Sequence, residues 1–471
     1  MEPLRRFFRL KENNTTIRTE LLGGLVTFMT MAYIIFVNPS ILGTPAEKGG
    51  AGMNTSGVIA ATCLGSAFAT ILMGFVARYP IALAPGMGLN ALFSFWICGQ
   101  MHVSWQIALG IVFMAGFLFV VLTLIKIRET IIYAIPTPMK FSIAAGIGLF
   151  IAFIGLKNAG IVTSHPITLV QLGDLRQPYV LVALAGLVIT AALMAARIRG
   201  AILIGLIATG IIALSAGLIH KPAGVVDLPN MDKVFLKMDL KGVFANIDVY
   251  IAPIALLLFF AMFDTVGTLI GVGEQARFVD KDGHMPRAGK ALLSDAVGSM
   301  AGAALGTSTI TCYIESSAGV AEGARTGLAN IVTGVLFLVA AFFTPIVQAF
   351  SGGVVQTFSG NVTKEFFPIT APALIVVGVL MMGNVSRIKW DDFSEAIPSF
   401  LTIILMPLTY SIAIGLAVGF ASYPLIKLLS GRGKEAHWFT YFLGAVFTAG
   451  LVLWALNNPE FLKTVQSATG G

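Results

Sequence analysis

The chain has 471 residues, 56% of them hydrophobic and 11% charged, against roughly 25% charged in an ordinary soluble domain. That composition excludes a soluble enzyme and points to an all-α protein that crosses a bilayer many times. The net charge of +7 does not describe a nucleic-acid surface, because Lys and Arg occur in short clusters beside apolar stretches, where they set orientation.

Residues 1–18 form a basic N-terminal segment without the short apolar core and cleavage site of a secretory leader, so the first apolar run is expected to stay as a span. Apolar stretches of about 18 residues or more, enough for a hydrocarbon core about 30 Å thick, recur from there on. Seven are expected near 19–42, 56–77, 81–99, 104–126, 139–156, 178–197 and 201–219. A polar stretch at 220–249 follows as an extramembrane loop. Seven more are expected near 250–274, 288–304, 307–323, 326–350, 366–385, 393–411 and 412–430. Residues 431–471 hold a last apolar run, 437–456, which either crosses once more or lies against the bundle or interface.

Positive charges fall at alternate connections: Arg5, Arg6, Arg9, Lys11 and Arg18, then Arg78, Lys126, Arg128, Lys140, Arg197 and Arg199. The alternation continues through Arg277, Lys281, Arg287, Lys290, Arg325, Arg387, Lys389, Lys427, Arg432 and Lys434. Those connections, and the N-terminus, are expected in the cytoplasm of a multi-pass cell-membrane protein. Cys63, Cys98 and Cys312 are far apart and set in apolar sequence, so they read as small core residues, without a disulfide or metal site. None of His102, His165, His220, His284 and His437 lies well inside a span, which leaves a membrane-embedded enzyme without a base or metal cluster. No cofactor is expected.

Seven spans before the 220–249 loop make the second half enter with opposite orientation, as an inverted repeat. The third span begins YPIALAPGMGLNALFSF, with Pro80, Pro85, Gly86 and Gly88; the tenth begins LGTSTITCYIESSAGV, with Gly306 and β-branched threonines including Thr311. Such interruptions free backbone groups and are tolerated where they line a cavity, so the pair points to a midplane site.

Two carboxylates stand out, Asp264 in IAPIALLLFFAMFDTVGTLIGV and Glu315 in GTSTITCYIESSAGVAEG. A charge at the bilayer centre costs roughly 2.5–3.5 kcal/mol even on lenient scales, and such residues usually face a cavity or pathway. Asp264, Gly267, Thr268 and Gly271 share one helix face. Small residues there could serve close packing, which gives no reason for an aspartate. Glu315 could pair with Arg325, but Glu322 is better spaced to do so, leaving Glu315 for a ligand. An ionised carboxylate accepts two hydrogen bonds in a plane, which suits a neutral heteroaromatic ring with adjacent N–H donors. Ser316 and Ser317 would add free N–H groups if a half-helix begins there, and Asn90 offers a donor and an acceptor. The expected substrate-binding set is Glu315, Asp264, Asn90, Gly88, Thr268, Ser316 and Thr311. A neutral solute gains nothing from the membrane potential, whereas a co-transported cation does, so Asp264, with Glu315, is the expected proton carrier. Sodium held by Asp264 and unwound carbonyls is the less favoured co-substrate.

The segments Phe259–Ala276, Gly306–Gly327 and Leu83–Phe95, with GLVTFMTMAYIIFVNPSIL and IPSFLTIILMPLTYSIAIGLAVGF, resemble the adenine/guanine/hypoxanthine permease branch of the nucleobase:cation symporter-2 (xanthine/uracil permease) superfamily. The resemblance implies a seven-plus-seven inverted-repeat transporter with discontinuous spans 3 and 10. It also implies a core domain of spans 1–4 and 8–11, a gate domain of spans 5–7 and 12–14, and alternating access between the two. Its substrates are purine bases (adenine, guanine, hypoxanthine) imported with protons, and the superfamily often dimerises through its gate domains. By motif, Asp264, Glu315 and Asn90 line its purine site. The uracil and xanthine branches place a glutamate at the Asp264 position, and the uracil carriers a histidine at that of Thr268; these departures argue against uracil. The alternative is an anion transporter or channel on the related core-and-gate architecture, with half-helix N-termini holding the ligand; two acids in the site would repel it.

Overall fold

The computed structural model describes residues 2–125, 136–278, 285–358 and 362–457; Lys126, Arg128, Lys281 and His284 lie outside them. In the first half the helices are α1 Glu2–Phe7, α2 Ile17–Met31, α3 Ile34–Leu42, α4 Thr55–Val76, α5 Met87–Ala91, α6 Trp105–Leu124, α7 Thr137–Asn158, α8 Pro178–Ala195 and α9 Ala201–Ser215. The second half has α10 Leu240–Ala245, α11 Ile247–Gln275, α12 Ala288–Leu305, α13 Ser316–Ala321, α14 Gly327–Ala340, α15 Thr344–Ser351, α16 Ala371–Met382, α17 Phe393–Leu408, α18 Ile412–Leu429 and α19 Trp438–Asn457. Among the described residues, eight helical stretches are long and apolar enough to cross a membrane, with four shorter apolar helices beside them. Polar side chains mark helix starts: Thr16, Asn54, Ser104 and Ser411 each accept an N–H from the first turn of α2, α4, α6 and α18, which satisfies one of the donors every helix N-terminus leaves open.

The chain divides into two compact units. The first comprises residues 1–126 and 153–376. Within it small residues let helix backbones meet: a Cβ on Gly327 would collide with the main chain of Gly74, and one on Gly24 with the carbonyl of Ala329. Helices α8 and α9 interlock reciprocally, Thr190 lying over Gly205 and Thr209 over Gly186, with each hydroxyl bonded back to its own helix. Where lipid removes the hydrophobic drive between helices, this close approach is the main source of adhesion.

Between α4 and α12 lies a two-stranded antiparallel sheet, β1 Leu83–Pro85 with β4 Ile310–Cys312, in the register Leu83↔Cys312, Ala84↔Thr311 and Pro85↔Ile310. Bonds from Gly86 N to Thr309 O (3.0 Å) and Tyr313 N to Ala82 O (2.9 Å) extend it. All six strand residues are buried. Pro85 has no N–H to satisfy, and the β-branched Ile310 and Thr311 suit an extended backbone. The pairing gives partners to peptide groups that helices would otherwise have satisfied. Short helices leave both strands: α5, continuing into a π-helical stretch Leu92–Gln100, and α13. Two hairpins lie outside this core, β2 Val162–His165 with β3 Leu169–Leu172, and β5 Val354–Phe358 with β6 Val362–Phe366. The 220–249 stretch is more than a free loop, since it carries α10, and Val234 is fully buried beside Gly57 and Gly306.

The second unit comprises residues 127–152 and 377–471. Here α18 packs against both α17 and α19, and Phe420 stacks on Phe447 at 5.3 Å.

Candidate functional site

The two acids come from different elements of the first unit. Asp264 lies midway along α11 and is exposed. Thr311 of β4 donates its hydroxyl to Asp264 Oδ2 at 2.9 Å, and no bond to Oδ1 is formed among the described residues. One turn on, a Cβ at Gly267 would have no atom within 4 Å, so Asp264 looks onto open space, whereas one at Gly271 would meet Ile314 at 3.3 Å. Thr268 is buried. Glu315 stands at the start of α13, half-buried, and Tyr33 donates to its Oε1 at 2.5 Å. Thr30 donates to the Glu315 carbonyl at 3.3 Å. One carboxylate oxygen of each acid is therefore held by a hydroxyl, Glu315 by Tyr33 and Asp264 by Thr311.

The remaining expected residues divide. Thr311 is buried and faces Asp264; Gly86 must lack a side chain because a Cβ there would come within 2.8 Å of the Thr311 hydroxyl. Asn90 is wholly buried, takes the Ser308 hydroxyl on Oδ1, and keeps an Nδ2 without a partner among the described residues. Gly88 sits in α5, partly exposed. The Ser316 hydroxyl accepts from Ala82 N at 2.9 Å, so it ties α13 to the start of β1.

Two expectations are corrected. The N–H groups of Ser316 and Ser317 are not free: they donate to Tyr313 O (3.2 Å) and Ile314 O (2.9 Å), because the chain turns before α13 and closes its own bonds. Glu322 does not serve Arg325; it pairs with Arg199 at 2.5 Å. Arg325 Nη1 donates to the carbonyls of Val320 (2.6 Å) and Ala324 (2.7 Å). Spacing along one helix cannot anticipate a partner from a distant connection.

Three polar residues escaped sequence reasoning. Tyr33 stands in a run of apolar residues where a tyrosine is unremarkable. Asn38, fully buried, donates to Thr62 (2.7 Å) and Thr307 (2.9 Å), fastening α3 to α4 and to the approach to β4. Asp295 of α12 is fully buried beside Thr265 and Cys312, and neither carboxylate oxygen has a hydrogen bond among the described residues. The signal that exposed Asp264, an acid among apolar residues, was present at Asp295 in ALLSDAVGSM, but flanking Ser294 and Ser299 made that helix look merely polar. Among the described residues no ion pair joins Asp264, Asp295 or Glu315 to a cation, and no group of His, Cys, Asp or Glu could hold a metal.

Comparison with known proteins places this geometry in context. A permease family model matches residues 18–418. The guanine/hypoxanthine permease PbuG of Bacillus subtilis (strain 168) is 44% identical over 450 residues, covering 94% of this chain and 98% of that protein. The adenine permease AdeQ of Escherichia coli (strain K12) is 40% identical over 452 residues, covering 96% of each. These relatives are permeases, not enzymes. The fold is shared with the transmembrane domain of a cyanobacterium bicarbonate transporter, BicA, at a TM-score of 0.62 and 14% identity over 85% of this chain and 96% of that one.

Proposed function

The chain belongs to the permease family, and from that premise we propose that it imports purine nucleobases, adenine, guanine or hypoxanthine, together with protons. The observation that carries this reading is the pair of carboxylates, each pinned through one oxygen, by Tyr33 and by Thr311. A purine presents N–H donors along its ring edge, which Glu315 accepts, and Asn90 contributes its unpartnered Nδ2 to the site. Asp264 carries the coupling proton: it lies on an open face of α11 and is joined to no cation by an ion pair among the described residues. The β1–β4 pair and the short helices that follow it are the breaks of spans 3 and 10. Alternating access then moves a core of spans 1–4 and 8–11 against a gate of spans 5–7 and 12–14. The reading also includes fourteen spans, a cytoplasmic N-terminus and a homodimer through the gate helices. Relatives that carry guanine, hypoxanthine and adenine support the substrate class. An anion would meet two carboxylates at this site, neither of them ion-paired to a cation among the described residues.

Uptake of radiolabelled adenine, guanine, hypoxanthine and uracil into proteoliposomes, with and without an inward proton gradient, tests substrate and coupling together. The expected result is purine accumulation that collapses when the gradient is removed, with uracil excluded. Accumulation of sulfate or bicarbonate in place of any base would overturn the proposal.

A further inference from the structure

The second unit holds a cavity of about 450 Å³ whose walls include Arg387, Lys389, Glu395, Tyr423, Glu435 and His437. Its charges are unevenly matched. Lys427, almost completely buried, lies 2.8 Å from Glu435, 3.8 Å from Glu395 Oε1 and 4.0 Å from Asp392. Arg432 takes both oxygens of Glu435, at 2.7 and 2.9 Å, and Asp392 at 2.9 Å. Asp392 and Glu435 are thus neutralised. Glu395 Oε2 is buried without a hydrogen-bond partner among the described residues. Arg387 and Lys389 are exposed; Arg387 stacks over Phe141 at 5.5 Å, and neither is ion-paired among the described residues.

A cavity with two unneutralised cations and one orphan acceptor is complementary to a molecule that carries an anion and a hydrogen-bond donor a few atoms apart. Near the lining residues in sequence stand Trp390 (41% exposed), Phe393 (73%) and Trp438 (67%). Aromatic rings of this kind gather where membrane meets water, and basic pockets at such a level take lipid head groups. A soluble phosphate would leave these apolar side chains unused.

We propose that this cavity binds the head group of a glycerophospholipid bearing an ammonium or hydroxyl donor, with the phosphate on Arg387 and Lys389 and the donor on the Glu395 carboxylate, which lines the cavity. The purified, delipidated full chain is titrated in detergent with phosphatidylethanolamine, phosphatidylglycerol and phosphatidylcholine of matched acyl chains, and with soluble glycerophosphoethanolamine, while its unfolding temperature is followed. Ethanolamine and glycerol lipids should raise that temperature at concentrations at least about tenfold lower than phosphatidylcholine, whose head has no N–H or O–H donor. The double variant Arg387→Gln/Lys389→Gln removes no ion pair of the Lys427 network and only the stacking of Arg387 on Phe141, so its own unliganded unfolding temperature, taken as its baseline, should not rise with lipid. Equal response to all three lipids, a response retained by the double variant, or full stabilisation by soluble glycerophosphoethanolamine would each overturn the assignment.

Discussion

Tyr33 and Glu315 meet at 2.5 Å, and the hydroxyl does two things for the carboxylate: it satisfies one oxygen and sets the plane in which the other accepts. Hydrogen bonds to charged groups contribute about 1.5–3 kcal/mol net, so losing one costs roughly 10- to 150-fold in affinity. Glu315→Gln, which replaces one acceptor with a donor, is expected to weaken competition by unlabelled purine within or beyond that range. Tyr33→Phe should fall near its lower end, because the carboxylate survives but is no longer oriented. Competition binding on purified protein reads both, and unchanged affinity in the two variants would remove Glu315 from the site. Asp264→Asn should behave differently, still binding purine while its uptake no longer answers to a proton gradient. Both acids were legible in the sequence because a carboxylate in an apolar run is costly enough to demand a reason. Tyr33 and Asn38 were not, since their polar atoms are cheap to bury once bonded, and their partners Glu315 and Thr307 come from the other half of the chain.

At the level of elements, helix α14 begins against Glu20 of α2, whose carboxylate accepts the main-chain N–H groups of Arg325 (2.8 Å), Thr326 (3.3 Å) and Ala329 (3.3 Å). A side chain distant in sequence thereby caps a helix start that Thr326 alone would leave partly open. Each buried donor left without an acceptor costs about 1–3 kcal/mol. Glu20→Ala should lower the unfolding temperature in detergent markedly and Glu20→Gln, which keeps one oxygen, by less; equal temperatures for all three proteins would show that water replaces the carboxylate. Gly327→Val presses a side chain into the Gly74 backbone and should cost about 1–3 kcal/mol, as overpacking does. Pro80, Pro85, Gly86 and Gly306 marked in the sequence where helical pattern fails. That Leu83–Pro85 and Ile310–Cys312 pair as strands was hidden, because strand register depends on a partner that no local pattern identifies.

For the whole molecule, hydropathy finds apolar segments one at a time and carries no information on which packs against which. The boundaries of the two compact units fall inside apolar runs, after residues 152 and 376, where composition does not change. Charge outside the spans is easier to use. The Ser394 hydroxyl and Arg432 hold Asp392 down to about 2, and Arg432 and Lys427 hold Glu435 at about 2, from ordinary values of 3.8 and 4.5. Carboxylates depressed in the fold stabilise it fully above their unfolded values and lose that contribution as pH falls through the folded ones. Unfolding temperature should therefore hold from neutral pH to about 4.5 and decline toward about 2, and a variant Arg432→Gln, whose carboxylates return toward their unfolded values, should unfold at a lower temperature at neutral pH and show a shallower decline over the same range.

Coupling provides the remaining test at this scale. A neutral purine moving with one proton carries one net charge inward, and a charge falling through 100 mV, inside negative, releases about 2.3 kcal/mol. At about 1.4 kcal/mol per tenfold, that potential alone sustains roughly 50-fold accumulation without any pH difference. Proteoliposomes given a potassium diffusion potential at equal pH on both sides should thus concentrate purine toward that limit, and a protonophore should abolish it. Uptake that equilibrates at onefold, whatever the potential, would describe a facilitator. In that protein Asp264 would serve binding alone, and Asp264→Asn would lower affinity without altering any dependence on protons. The two outcomes assign the same carboxylate to different work, and the potential separates them without a mutation.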